Sequence, residues 1–184
     1  VSAGGFAPGL FDRIEAESAR GRALTLATDL TSGLTREGVS EGAFLNRYDP
    51  PRRLFIVGAV QIAQSLVPLA QAIGIMPVVI DPRGRFLTDE RFPGVELDDR
   101  WPDAAIAARS PGEATAVVTL SHDIKIDDPA LIAALRAPTG YVAALGSRKS
   151  HAARLERLTA MGFEADDLAR IDGPAGLDIG AMGP

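Results

Sequence analysis

Cysteine is absent from the 184-residue sequence, and only two histidines are present. Without thiols the chain can form neither a disulfide framework nor a thiolate metal site, and a cysteine nucleophile is equally excluded. We therefore expect a cytoplasmic protein whose own side chains hold no metal.

An excess of positive charge is also lacking, since 19 basic residues face 24 acidic ones for a net charge of -5. Nucleic acids and anionic membrane surfaces attract basic patches, so neither is an expected partner. No apolar run approaches the roughly 18 residues that a membrane span requires. The 46% of hydrophobic residues predicts a buried core and one domain with an appendage.

The first fifty residues differ from the rest of the sequence. "GLFDRIEAESARG" predicts a short helix and "RALTLATDL" a strand, and a Gly-rich, charged stretch then runs to "YDPPRR". Pro50 and Pro51 mark a boundary, because proline cannot donate a hydrogen bond to a strand ladder. We predict an N-terminal α+β extension over residues 1–50 and a main domain over residues 51–184.

Apolar runs alternate with helical segments after this boundary. The predicted buried strands, which lack polar alternation, are "RLFIVG", "MPVVID", "TAVVTLS" and "GYVAAL". A helix follows the first strand, with one face lined by Ile62, Leu66, Leu69 and Ile73. Further helices are "PDAAIAARS", "DDPALIAALR" with Asp128 as N-cap and Pro129 as its first residue, and "SRKSHAARLERLTAMG". The alternation predicts an α/β fold with a doubly wound parallel sheet.

Ligands of such sheets bind at the carboxyl ends of the strands. The first loop there is Gly58-Ala59-Val60-Gln61, in which Val60 stands where glycine would let a pyrophosphate approach. The helix start and Gln61 still offer donors to an anion. Asp81 follows Gly58 by 23 residues, close to the spacing of an acid that meets a ribose hydroxyl. Each feature equally suits a plain strand-to-helix turn.

Polar residues also follow the next two strands. Ser121, His122 and Asp123 are adjacent and therefore cannot form a catalytic triad, although His122 can face a ligand. Asp127 and Asp128 are better explained by capping than by metal binding. Ser147 opens a helix whose first turns carry Arg148, Lys149 and His151. These cations oppose the helix dipole, so they indicate either a phosphate-bearing ligand or solvated surface charges.

Several stretches in order resemble the C-terminal Rossmann domain of the XdhC/CoxI family of accessory proteins for molybdenum hydroxylases. They span about residues 50 to 181 and are "VGAVQIAQ", "VVIDPRGRF", "ERFPG", "WPDAA", "LSHDIKIDDPAL", "YVAALGSRKSHAARLERL" and "GPAGLDIGA". The resemblance implies a Rossmann-like doubly wound sheet. It also implies a chaperone, rather than a catalyst, that binds molybdenum cofactor (molybdopterin), protects it and supports its sulfuration.

The resemblance further implies delivery of the cofactor to the apoenzyme of a xanthine dehydrogenase or CO dehydrogenase type of molybdenum hydroxylase. A cysteine desulfurase that supplies sulfur is a further implied partner, and the habit of the fold suggests a homodimer. Carried onto this sequence, the cofactor-binding candidates are Gly58, Ala59, Val60, Gln61, Asp81, Arg83, Ser121, His122, Ser147, Arg148 and Asp178. No catalytic residue and no metal ligand is expected.

The sequence departs from the family pattern at two positions. Gln61 replaces a histidine of the first loop, and Asp172 stands where a histidine precedes Gly-Pro.

Two other functions remain open. An NAD(P)-dependent oxidoreductase agrees with the fold and Asp81, with Arg83 favouring NADP, but disagrees with Val60. A nucleotide-binding scaffold that has lost its ligand would only recruit a dehydrogenase.

Overall fold

The computed structural model describes residues 6–177 and residue 180. The chain divides into two units, Val1–Pro51 and Arg52–Pro184. Within the described part of the chain, no helix has both the length and the apolar character that crossing a bilayer demands.

The first unit contains one helix and a small antiparallel sheet. Its elements are α1 (Leu10–Ala19), β1 (Leu24–Thr28), β2 (Thr35–Glu37) and β3 (Phe44–Tyr48). The strand order is β2-β1-β3, and the buried core consists of Leu10, Leu24 and Leu26. The predicted helix and first strand are confirmed. The sequence analysis missed β2 and β3, because their mostly exposed side chains produce no apolar run.

The second unit alternates strands and helices. Its elements are β4 (Arg53–Val57), α2 (Gln61–Ala72), β5 (Met76–Ile80), a 3-10 turn (Gly84–Phe86), β6 (Glu96–Asp98), α3 (Pro102–Ala107), β7 (Thr115–Thr119), α4 (Ile124–Arg136), β8 (Tyr141–Ala144), α5 (Arg148–Ala160), α6 (Ala165–Leu168) and β9 (Ile171–Asp172).

All six strands of this unit are parallel and lie in the order β6-β5-β4-β7-β8-β9. The chain runs outward from β4 to β6 and then returns to place β7 beside β4. The carboxyl ends of β4 and β7 therefore flank the point where the strand order reverses, which is where such sheets bind ligands. The Rossmann-like α/β fold is confirmed.

The four predicted strands are present because both faces of the sheet are covered. In β4, Phe55, Ile56 and Val57 are fully buried, and neighbouring side chains of that strand belong to the cores on opposite faces. The sequence analysis missed the two outer strands. β6 is short and ends in Asp98, a buried carboxylate that forms ion pairs with Arg100 and Arg109. β9 has only two residues.

The predicted start of α4 was wrong. The helix begins at Ile124, and its N-cap is Asp123, whose side chain accepts a hydrogen bond from the backbone N–H of Lys125 at 2.9 Å. Asp128 lies inside the helix and caps nothing. The helix begins earlier than predicted because Ile126 is buried in the core and adds to its apolar face.

Helix α2 is present, but of the four apolar residues predicted to line its buried face only Leu66 packs against the core. The residues buried against the sheet are Ala63, Val67 and Ala70. Ile62, Leu69 and Ile73 are exposed. Small side chains let the helix approach the sheet closely, so the spacing of the larger residues identified the helix but not its packing.

This packing predicts that two apolar truncations in α2 differ in their effect on the free energy of unfolding. Val67 is 4% exposed and Leu69 is 65% exposed. Because Val67→Ala removes buried methyl groups, we expect it to lower the free energy of unfolding by about 2 kcal/mol. Leu69→Ala should change it by no more than about 0.5 kcal/mol. Urea denaturation of both variants is the measurement, and a larger loss for Leu69→Ala would contradict the assigned face.

Candidate functional site

The loops at this edge are numbered in chain order: the first follows β4, the second β5, the third β7 and the fourth β8. The first loop touches the third loop where the strand order reverses. Gly58 has a φ of 109° and donates its N–H to the carbonyl of Ile80 at 2.8 Å. A Cβ at this position would lie 2.9 Å from the backbone nitrogen of Ser121. The glycine is therefore required by backbone conformation and by contact between loops, with no ligand involved.

Asp81 ties the first loop to the end of β5. Its side chain is fully buried, and Oδ2 accepts hydrogen bonds from the N–H of Ala59 at 2.8 Å and from Arg83 Nη2 at 2.7 Å. Oδ1 accepts from the N–H and the Nε of Arg83, both at 2.9 Å. The carboxylate is thus engaged by the protein itself and has no surface to offer a ribose hydroxyl.

The charges of this cluster favour the ionised pair. Burial by itself raises the pKa of Asp81, but the hydrogen bonds from Arg83 and Ala59 outweigh it, so the net pKa lies below its ordinary value. The hydrogen bond to Asp81 likewise raises the pKa of Arg83. Arg83 is committed to this pair, and its guanidinium also lies 5.0 Å from the ring centre of Phe86.

Arg91 closes the other side of the first loop, and the sequence analysis assigned it no role. Its Nη2 donates to the carbonyl of Ala59 at 2.8 Å, and its Nη1 donates to the carbonyl of Phe86 at 2.7 Å. Both backbone groups of Ala59 are therefore satisfied internally. The only sequence signal was the position of Arg91 in "ERFPG", one of the stretches that carry the family resemblance.

The remaining candidates of the first loop lie at the start of α2. Val60 is the N-cap in extended conformation and makes no side-chain capping bond. Gln61 is exposed, and its Oε1 accepts a hydrogen bond from Gln64 Nε2 at 3.1 Å. An amide at an exposed helix start can still donate to a ligand.

Ser121 organises the third loop. Its Oγ donates to Asp127 Oδ1 at 2.6 Å and accepts from the N–H of Asp123 at 3.1 Å. His122 is exposed and has a left-handed backbone with a φ of 60°. Burial raises the pKa of Asp127, and the bond from Ser121 opposes that rise only in part. The serine therefore supports α4, and the histidine side chain stays accessible.

The fourth loop leads into α5. Ser147 is the N-cap, and its Oγ accepts from the N–H of Ser150 at 3.1 Å. Arg148 follows as the first residue of the helix and is exposed, as is Lys149. The terminal loop returns to the same edge of the sheet, where the N–H of Ala175 donates to the carbonyl of Ala144 at 2.9 Å. Asp178 lies outside the described residues.

A cavity of about 330 Å³ lies between the third loop, α4 and α5; we call it the α4–α5 cavity. Its charged and titratable wall comprises His122, Asp127, Asp128, Lys149, Arg154 and Arg157. Of the candidates predicted from the sequence that lie among the described residues, only His122 lines this cavity. The candidates therefore divide between the Asp81 cluster, this cavity and the two helix starts, instead of meeting in one pocket.

Arg154 and Arg157 were missed as site residues. Arg154 is only 5% exposed, donates Nη2 to the carbonyl of Leu145 at 2.9 Å and places Nη1 3.3 Å from His151 Nδ1. Its Nε has no hydrogen-bond partner among the described residues. Arg157 instead forms a bidentate pair with Asp128 at 2.8 and 2.9 Å. A sequence signal existed for Arg154, which lies four residues before the buried Leu158 on the same face of α5.

Metal ligation finds no support in the described part of the chain, where no three His, Cys, Asp or Glu side chains are grouped suitably.

The family model of the XdhC Rossmann domain matches residues 54–184. The chain belongs to this family. It is also 31% identical over 143 residues to the molybdenum cofactor insertion chaperone PaoD of Escherichia coli, covering 78% of this chain and 39% of PaoD. The chain thus spans about two fifths of the length of that relative.

A solved structure agrees with the fold over nearly the whole chain. The crystal structure of a xanthine dehydrogenase from Bacillus halodurans superposes with a TM-score of 0.70, at 21% identity, over 95% of this chain and 61% of that chain. At this identity the likeness concerns the fold alone.

The contact between the first and third loops predicts a large cost for Gly58→Ala. The variant suffers both the unfavourable φ and a collision with the backbone at Ser121, so we expect a loss of about 3 kcal/mol in unfolding free energy. Gly74→Ala is the matched control, because Gly74 has a φ of 72° but open space around it. It should lose about 1 kcal/mol. Equal losses in chemical denaturation would argue against the loop contact.

The lowered pKa of Asp81 predicts a pH-dependent loss for Asp81→Asn. The stabilisation by the carboxylate is present above the pKa of the unfolded chain, about 3.9, and disappears as pH falls through the lower folded value. We expect Asp81→Asn to lose about 3 kcal/mol at pH 7. Its difference from the parent protein should shrink below pH 4.

Asp99→Asn is the control for this experiment, because Asp99 is exposed. It should lie within about 0.5 kcal/mol of the parent protein throughout. Urea unfolding between pH 2.5 and pH 7 provides the measurement, and a pH-independent loss in Asp81→Asn would contradict the role of the ionised carboxylate.

Proposed function

We propose that this chain binds molybdenum cofactor and delivers it to the apoenzyme of a xanthine dehydrogenase or CO dehydrogenase type of hydroxylase. Membership of the XdhC Rossmann domain family and the likeness to a molybdenum cofactor insertion chaperone support an accessory role. Its task in this proposal is to hold and release a ligand, with no turnover of its own.

The observation that carries the proposal is the engagement of Asp81. In nicotinamide-dependent enzymes of this fold, the acid at the end of the second strand accepts a ribose hydroxyl. Asp81 has no exposed surface, and Ala59 and Arg83 occupy its oxygens. Arg83, the candidate for a 2′-phosphate, is held in the same pair. This arrangement disfavours NAD(P), although the fold itself would accept it.

The residues beside the sheet edge fit an anionic pterin cofactor. Molybdopterin carries a phosphate, and Lys149 and Arg154 in the α4–α5 cavity supply positive charge. When bound, the cofactor supplies the molybdenum together with sulfur ligands of its own. The protein therefore needs no metal-binding cluster, and its side chains hold the organic part and exclude water.

The candidates predicted from the sequence take different parts in this proposal. Ala59, Asp81 and Ser121 hold the loops in shape through the hydrogen bonds described above. Gln61, His122 and Arg148 are exposed and form the surface that a ligand meets. Gly58, Val60, Arg83, Ser147 and Asp178 complete the proposed set.

Sulfuration of the cofactor is assigned to a partner in this proposal. The 184 residues contain no cysteine, so a persulfide cannot form on any of them. A separate cysteine desulfurase would supply the sulfur while this chain holds the cofactor. We also propose a homodimer, which is the commonest assembly of soluble proteins.

The proposal predicts that the protein purified from cells that make the cofactor carries molybdenum and a pterin. Metal analysis and fluorescence of the oxidised pterin are the two readouts. Adding the loaded protein to a cofactor-free molybdenum hydroxylase should restore its activity more rapidly than free cofactor at equal concentration.

Titration with NADH and NADPH serves as the control. Saturable nicotinamide binding in the absence of pterin binding would contradict the proposal and favour the hypothesis of an NAD(P)-dependent oxidoreductase. If the protein captures the apoenzyme but binds neither ligand, the scaffold reading is correct instead.

A further inference from the structure

We infer that the α4–α5 cavity is the phosphate site of this domain and holds the phosphate group of a small phosphorylated ligand. The identity of that ligand as molybdenum cofactor rests on the proposed function. The site itself is argued from the geometry of α4 and α5 and can be tested with phosphate alone.

Arg154 provides the first argument, because its buried charge is attracted by Asp127 and Asp128 through space but forms no hydrogen-bonded ion pair among the described residues. Its guanidinium bonds only to uncharged acceptors, the carbonyl of Leu145 and the ring of His151, and its Nε bonds to nothing among the described residues. Buried charges in proteins are normally paired. An oxyanion in the adjoining cavity would supply the counter-charge.

The balance of charge in the cavity wall provides the second argument. Asp128 is engaged by Arg157 in a bidentate pair, so these two side chains cancel each other. Lys149 and Arg154 then oppose Asp127 alone. The wall is therefore positive on balance in a chain whose net charge is -5.

The first turn of α5 provides the third argument. It contains no acidic residue, and Lys149 lies in it facing the cavity. Such a cation opposes the dipole of the helix, and an anion beside it removes the conflict. Ser147 is already occupied as the N-cap, so the ligand is recognised by side chains on the next turns.

The first loop, by contrast, offers a phosphate only the N–H groups at the start of α2, because the backbone of Ala59 is engaged. The N–H of Ala59 is donated to Asp81, and its carbonyl accepts from Arg91. A phosphate at the usual place in this fold would have to displace a buried carboxylate from that N–H. The α4–α5 cavity requires no such exchange.

Ala153→Leu tests the site without removing a charge. Ala153 lines the cavity and is exposed on α5, so a leucine there fills the space and is compatible with the helix. Ala152→Leu is the matched control, because Ala152 is also exposed on α5 but does not line the cavity. Isothermal titration with inorganic phosphate and with phenyl phosphate measures binding to both variants and to the parent chain.

We expect the parent protein to bind both phosphates. The Ala153→Leu variant should bind each of them with an affinity that is lower by about tenfold or more. Ala152→Leu should stay within about twofold of the parent. Lys149→Gln should weaken binding by about threefold, whereas Lys125→Gln, outside the cavity wall, should have no effect. Circular dichroism checks that all four variants are folded.

The inference is overturned if the parent protein binds neither phosphate at millimolar concentration, or if the two alanine variants behave alike. Cofactor binding by the same variants separates this inference from the proposed function. Equal cofactor binding by the parent and Ala153→Leu would contradict the cavity assignment and leave the function standing. A parent protein that binds phosphate but no cofactor would contradict the function and leave the cavity standing.

Discussion

The buried carboxylate of Asp81 joins two loops of the sheet edge in one cluster. It accepts the N–H of Ala59 from the loop after β4 and both backbone and side-chain groups of Arg83 from the loop after β5. Because Asp81 has no access to water, these bonds are its sole compensation for lost hydration. The positions of both loops depend on this cluster.

One consequence is that the first loop is shaped for stability. In dinucleotide-binding domains, the glycine-rich turn leaves N–H groups open to a pyrophosphate. Here Asp81 takes the N–H of Ala59 and Arg91 takes its carbonyl, while Gly58 packs against Ser121. The turn keeps the strand-turn-helix pattern of dinucleotide-binding domains, but the N–H of Ala59 is not open to a ligand. The basic side chains of α5 offer positive charge at the same edge of the sheet.

The main strands could be predicted from the sequence because continuous β-branched runs such as "MPVVI" have one explanation, a strand covered on both faces. Strands β6 and β9 were missed, since the one buries Asp98 through ion pairs and the other spans two residues. The predicted start of α4 was wrong, because Pro129 is typical of the first turn of a helix. The burial of Ile126 instead favours a helix that begins at Ile124. Local signals and tertiary burial disagreed at each of these positions.

The arrangement of the loops at the strand ends was predicted in part, whereas the binding role of the candidate residues remains a prediction. The pairing of Gly58 with Asp81 followed from the spacing between strand ends, and the structure brings their loops together. Arg91 and Arg154 could not be found in this way, because an arginine on a surface element usually stays in water. Only the fold reveals that one holds a loop carbonyl and that the other is buried beside a cavity.

The bidentate pair between Asp128 and Arg157 joins α4 to α5 in the wall of the cavity. Main-chain bonds hold the strands, whereas exposed positions on one helix, such as Lys149 and Ala153, contact whatever enters between the helices. Apart from the buried Arg154, the residues proposed to contact a ligand are therefore not those that hold the sheet together. Substitutions at exposed positions of α5 can therefore change which ligand is bound with little effect on the stability of the sheet. A glycine loop that binds its ligand through backbone groups alone does not have this adaptability.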